Sequence, residues 1–113
     1  MKIVDVQTRT VNVTKRGDWI FVILHSDDGN TGIGEASHGR GDARVIQRIN
    51  ELKPALIGRD VFQIEDFHRR FYQEHEGHAY HTAISGIEHA MWDLAGKTLD
   101  VPIHQMLEHQ EPV

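Results

Sequence analysis

The sequence has no cysteine among its 113 residues, so it can hold no disulfide, thiolate zinc site, iron–sulfur cluster or cysteine nucleophile. That absence fits a cytoplasmic setting. No apolar run approaches the ~18 residues that a membrane-spanning helix requires, and the opening Met1-Lys2-Ile3-Val4-Asp5 does not read as a signal peptide. Membrane is therefore not an expected partner. Positive charge is in deficit, with 12 Lys and Arg against 17 Asp and Glu and a net charge of −5. Nucleic acid is usually met by the opposite sign, so it is not an expected partner either. Apolar residues reach only 39%, but Val, Ile, Leu and Phe are spread along the whole chain, which permits a core and argues against disorder. Repeats and low-complexity segments are also lacking. The length fits one domain.

The first third carries strand patterning. Lys2 to Val13 is rich in β-branched residues and free of Gly and Pro, although neither alternating face is wholly apolar. Thr14 to Asp18 (TKRGD) interrupts it, and Trp19 to Leu24 follows as six apolar residues, the pattern of a strand covered on both faces. Asp27-Asp28-Gly29-Asn30 is hairpin chemistry, because Gly and Asn tolerate the positive φ of a tight turn. The return strand, Thr31 to Ala36, has Gly32 and Gly34 on one face, which invites close approach by a helix. A three-stranded antiparallel meander is expected, and so small a sheet needs something packed on it.

Beyond Ser37-His38-Gly39-Arg40-Gly41 the period becomes helical. Ala43, Val45, Ile46, Ile49 and Leu52 mark a helix that Pro54 should close, and Leu56 to Asp60 a connector. Ile64, Phe67, Phe71 and Tyr72 mark a second helix from about Gln63 to Glu74. The longest helix should run from about Thr82 to Thr98, with Ile84, Ile87, Met91, Leu94 and Ala95 on one face. Pro102 opens a last short turn, and residues 108–113 form a polar tail. Strands first and helices after, without βαβ alternation, give an α+β fold: a meander sheet followed by a bundle of three to four helices.

The residues themselves show no convincing catalytic constellation. His75, His78 and His81 have metal-like spacing but lie on an expected loop without a visible scaffold, where a polar connection is the plainer reading. Gly32-Ile33-Gly34 lacks the third glycine and the βαβ unit of a dinucleotide fingerprint. Gly39-Arg40-Gly41 could cradle an anion ahead of the first helix, or be a solvated loop. Ser37-His38 lacks the strand–turn–helix context of an esterase nucleophile, and Trp92 and Asp93 read as packing and capping.

The order of segments nevertheless resembles a known module. Asp28-Gly29, Gly32-Ile33-Gly34-Glu35-Ala36, Pro54-Ala55-Leu56-Ile57-Gly58-Arg59-Asp60, the stretch from Ala83 to Lys97 and Val101-Pro102-Ile103 are similar to the N-terminal capping domain of the mandelate racemase/muconate lactonizing enzyme group, in the enolase superfamily. The resemblance covers residues 1–107 and implies a lid over a (β/α)-barrel that carries the catalytic bases and Mg²⁺ ligands. The implied chemistry is α-proton abstraction from a carboxylate or sugar acid, as in a racemase, cycloisomerase or dehydratase. No catalytic residue and no cofactor are expected in this chain itself, since a barrel is absent from it. Two capping-domain loops contact substrate in such enzymes, and by position they correspond to residues 14–19 and 37–41. The resemblance thus nominates Lys15, Arg16, Trp19, His38 and Arg40 as substrate-binding; the plainer alternatives are solvated loop charges and a Trp19 that fills the sheet's core.

The expected partners are a barrel domain or chain, a small carboxylate, or a second copy docked through the apolar stripe of residues 83–95. A freestanding binding module that kept the fold without the chemistry is the alternative function, and a histidine-rich metal binder a further one.

Overall fold

The computed structural model describes residues 2–14, 17–36, 42–72 and 77–99. Three strands, β1 (Ile3–Thr14), β2 (Gly17–Ser26) and β3 (Thr31–Glu35), pair antiparallel in the order β1-β2-β3. Three helices follow: α1 (Asp42–Leu56), α2 (Ile64–Phe71) and α3 (His78–Leu99). This is the expected α+β meander with helices behind it. The Pro102 turn and the tail lie outside the described residues.

The mixed faces of β1 have a physical cause. Ile3 pairs with Ser26 but Asp5 with His25, so Val4 is an extra residue in the ladder. Such a bulge flips the side-chain alternation. Ile3 and Val6 consequently both face the core, while Val4 is half exposed. At the other end the strands run further than the sequence pattern indicated. Thr14 pairs with Gly17, so the TKRGD break contracts to the two residues between them.

The Asp27–Asn30 turn is as expected. Gly29 takes a φ of +86°, the Ser26 N–H donates to the Asn30 carbonyl at 3.0 Å, and the Asp28 carboxylate accepts from the Ser26 hydroxyl. Gly32 and Gly34 bring β3 onto α3. A methyl group at Gly34 would run into the Gly86 carbonyl oxygen and come within 2.7 Å of the Ala90 nitrogen, and one at Gly32 would meet Leu94. Gly86 reciprocates, since its own methyl would lie 2.6 Å from the Ala36 Cβ.

Three expectations about strand cover and helix extent are corrected. The Trp19–Leu24 strand is covered on one face only: Ile20, Val22 and Leu24 are fully buried beneath the helices, whereas Trp19 is 49% exposed and Phe21 and Ile23 are half-buried. Helix α1 passes through Pro54 and ends at Leu56, because a proline in the final turn forfeits one hydrogen bond, and Ile57 still donates to Lys53. Helix α3 begins four residues before Thr82, at His78, so His78 and His81 belong to a helix rather than a loop.

The core lies between the sheet and the helices. Ile3, Val6, Ile20, Val22 and Leu24 of the sheet meet Val45, Ile49, Leu52 and Leu56 of α1, Ile64 and Phe67 of α2, and Ala83, Ile84, Ile87, Met91 and Leu94 of α3. The 83–95 stripe is therefore consumed within the chain's own core, which overturns its expected role as an exposed docking face. The large apolar residues left exposed are Val4, Val11, Trp19, Ile33, Ile57 and Phe62. The first four belong to the sheet, three of them on the face turned away from the helices.

Candidate functional site

Strand order and register bring Thr14, Gly17 and Trp19 of the first nominated segment, and Ala36, which precedes the second, to one end of the sheet. The Thr14↔Gly17 pair closes the β1–β2 hairpin there. At the same end β3 finishes, with the Ala36 N–H donating to the Ile20 carbonyl at 2.8 Å. Ala36, the last described residue before 37–41, is thereby held to a β2 residue three positions beyond Gly17. Lys15, Arg16, His38 and Arg40 themselves lie outside the described residues.

Trp19 is the nominated residue that is described. It pairs with Val11 on β1, beyond the last β3 pair (Phe21↔Glu35), so nothing from β3 covers it. Its ring meets Phe21 edge-on at 6.2 Å, an arrangement that fixes the indole while leaving much of it open. It does not fill the core. At this end of the sheet the indole, braced by Phe21, offers an open aromatic face.

A second cluster lies on the helical side, and local sequence spacing gave no sign of it. His68 Nδ1 stands 2.7 Å from Glu88 Oε1, across 20 residues of sequence. The His68 ring stacks on Tyr72 at 4.6 Å, and Tyr72 stacks on His81 at 4.1 Å. Burial pushes the Glu88 carboxyl above its ordinary range, and His68 opposes that push. Ile64, Glu65, His68, Arg69, Glu88 and Trp92 line an open cleft of about 370 Å³. The His68–Glu88 hydrogen bond and the ring stack tie α2 to α3, which makes the cluster a clamp between helices. Arg59 does similar work nearby, bonding Asp66 at 2.9 Å while lying over Phe67 and Phe71.

Among the described residues no three His, Asp or Glu side chains converge on a point where a metal could sit. His81 is engaged with Tyr72, and His75 lies outside the described residues. No helix of the described residues is long and apolar enough to cross a membrane.

The sequence and the fold both match those of known proteins. Residues 1–108 match the family model of the mandelate racemase/muconate lactonizing enzyme N-terminal domain. A D-xylonate dehydratase of Haloferax volcanii is 39% identical over 111 residues, covering 94% of this chain and 26% of that protein. The crystal structure of an enolase from Agrobacterium radiobacter with sodium and L-malate bound superposes with a TM-score of 0.87 at 28% identity, covering 96% of this chain and 28% of that one. A mandelate racemase/muconate lactonizing protein of Paracoccus denitrificans, complexed with magnesium, gives 0.80 at 27% identity, covering 94% and 30%. The chain spans about a quarter of the length of the curated relatives it matches.

Proposed function

The chain belongs to the mandelate racemase/muconate lactonizing enzyme family through its N-terminal domain, and from that premise we propose that it is the substrate lid of a sugar-acid dehydratase or a related enzyme of the enolase superfamily. The observation that carries this reading is the match of nearly the whole chain to about a quarter of a sugar-acid dehydratase. The remaining three-quarters of such an enzyme is where a barrel would reside, and a barrel is this chain's proposed partner.

In this role the sheet end does the chain's share of the work. Trp19 walls the substrate pocket, and Lys15, Arg16, His38 and Arg40, from the two loops, meet the carboxylate and hydroxyls of the sugar acid. Closing the site strengthens the electrostatics inside it and protects the enediolate formed by loss of the α-proton. Magnesium, when bound in such enzymes, supplies stabilisation of that enediolate. The described side chains offer no ligand set for it, so no metal-dependent step is assigned to this chain. The proposed setting is the cytoplasm.

The test is a chimera in which this chain replaces the N-terminal quarter of the Haloferax D-xylonate dehydratase. The expected result is turnover of a sugar acid, with Trp19→Ala raising KM more than it lowers kcat. A folded chimera that turns over no sugar acid would overturn the reading.

A further inference from the structure

The two edges of the sheet are treated unequally. On the β3 edge, the outward N–H of Ile33 donates to Asp93 Oδ2 at 2.9 Å and the Thr31 carbonyl accepts from Lys97 Nζ at 2.7 Å. Side chains of α3 thus occupy the positions that an added strand would need. On the β1 edge only the beginning is covered. The Gly58 N–H donates to the Ile3 carbonyl, the Ile3 N–H to the Arg59 carbonyl, and the Val6 N–H to the Asp5 carboxylate, which Lys53 holds at 3.0 Å.

Further along β1 the ladder's alternation decides which groups point outward. Ile20 and Ser26 turn their backbone groups toward β3, as the Ala36–Ile20 and Ser26–Asn30 bonds show. Trp19, Phe21 and Ile23 therefore bond β1, through Val11, Arg9 and Gln7. The N–H and C=O groups of Thr8, Thr10 and Asn12 face away from the sheet. They meet no partner among the described residues. Neither proline nor a glycine interrupts this stretch, and Arg9 is its one charged residue from Gln7 to Asn12. Proteins usually blunt an edge they do not use.

We propose that this edge pairs with the same edge of a second copy, antiparallel about a two-fold axis at Thr10, to make a continuous six-stranded sheet. Charge and reach select that register. Centring on Arg9 would set two guanidinium groups opposite one another, which is unfavourable in a cross-strand pair. Centring on Thr8 would require the Val6 N–H that Asp5 already occupies, and centring nearer Thr14 shortens the overlap. With the axis at Thr10, threonine faces threonine, Thr8 faces Asn12, and Arg9 lies opposite the exposed Val11, whose surface its aliphatic stem can cover. The contact is isologous, so it closes on itself as a dimer. It is also narrow, so the dimer is weak and reversible.

The absence of cysteine makes the test clean, because Thr10→Cys introduces a single thiol. Under oxidation T10C should form a disulfide-linked dimer, whereas Thr31→Cys, on the capped edge, should not. In the unaltered chain, amide exchange at Thr8 and Thr10 should slow as protein concentration rises, in step with a dimer seen by sedimentation. Thr10→Pro removes an outward N–H without removing a bond to β2 and should sediment as a folded monomer. The proposal is overturned if the unaltered chain stays monomeric with those amides unprotected at every concentration. It is equally overturned if their protection is independent of concentration, or if a dimer persists in T10P and T10C is not cross-linked.

Discussion

Asp93 and Ile33, 60 residues apart, are joined by a 2.9 Å hydrogen bond from the strand's N–H to the helix's carboxylate, and Lys97 stands 3.2 Å from the same carboxylate. The pair shows how α3 serves the sheet twice, once by packing on Gly32 and Gly34 and once by closing the edge of β3.

Removing that cap should cost stability and expose an edge. Asp93→Ala is expected to lose about 1 kcal/mol, the net value of a typical hydrogen bond, and to increase self-association through β3. Asp93→Asn keeps an acceptor and should retain most of both. Urea denaturation and light scattering on the two variants provide the check. Equal loss in both would contradict the capping role.

The contact between β3 and α3 tolerates no added volume. Gly34→Ala would place its methyl against two backbone atoms of α3, which cannot yield as a flexible side chain would. A loss of at least ~1–3 kcal/mol is expected in thermal or urea unfolding. Gly29→Ala meets nothing within 4 Å and fails differently, through the cost of its φ of +86°.

The Glu88 carboxyl titrates above its ordinary range in the fold because burial disfavours its charge. The folded state therefore holds this proton more tightly than the unfolded chain. Its contribution is fully present below the unfolded value and declines as pH rises through the folded one. Glu88→Gln should remove that decline, so its stability relative to the unaltered chain should rise from about pH 4 upward. Urea midpoints measured across that range decide it; a difference that is flat or falls with pH would contradict the assignment.

Asp5 and Asp28 behave oppositely. Lys53 beside Asp5, and the Ser26 hydroxyl beside Asp28, hold these carboxyls below the ordinary aspartate value. Their contribution is present above that value and is lost as pH falls through it to the folded values. Asp5→Asn and Asp28→Asn should each flatten the acid limb of the stability profile, while a variant that unfolds along the same acid curve as the parent would refute the corresponding contact.

Much of the fold was legible because its signals are local. The Asp27–Asn30 turn, the paired glycines of β3 and the 3.6-residue stripe of α3 each declare themselves within a few residues. What was not legible depends on distant partners. The extra residue at Val4 can be recognised only against the facing strand, so the mixed faces of β1 had no local explanation. The Trp19–Leu24 run looks covered on both sides until it is known which face the helices occupy. The early start of α3 was obscured by the polar, histidine-rich first turn, whose stabilising stack on Tyr72 comes from α2. For the candidate site, register placed Trp19, the Thr14–Gly17 pair and Ala36 at one end of the sheet. The His68–Glu88 clamp had no signal, since its partners lie on different helices.

In the proposed role this chain shields a reaction whose catalytic groups belong to another part of the enzyme. That role is tested most directly by incubating the purified chain with D-xylonate or D-galactonate and Mg²⁺ in D₂O and following the α-hydrogen by NMR. No exchange and no dehydration are expected from the chain alone, and both when it is joined to the rest of a relative such as the Haloferax dehydratase. Exchange at an enzymic rate by the chain alone would contradict that role.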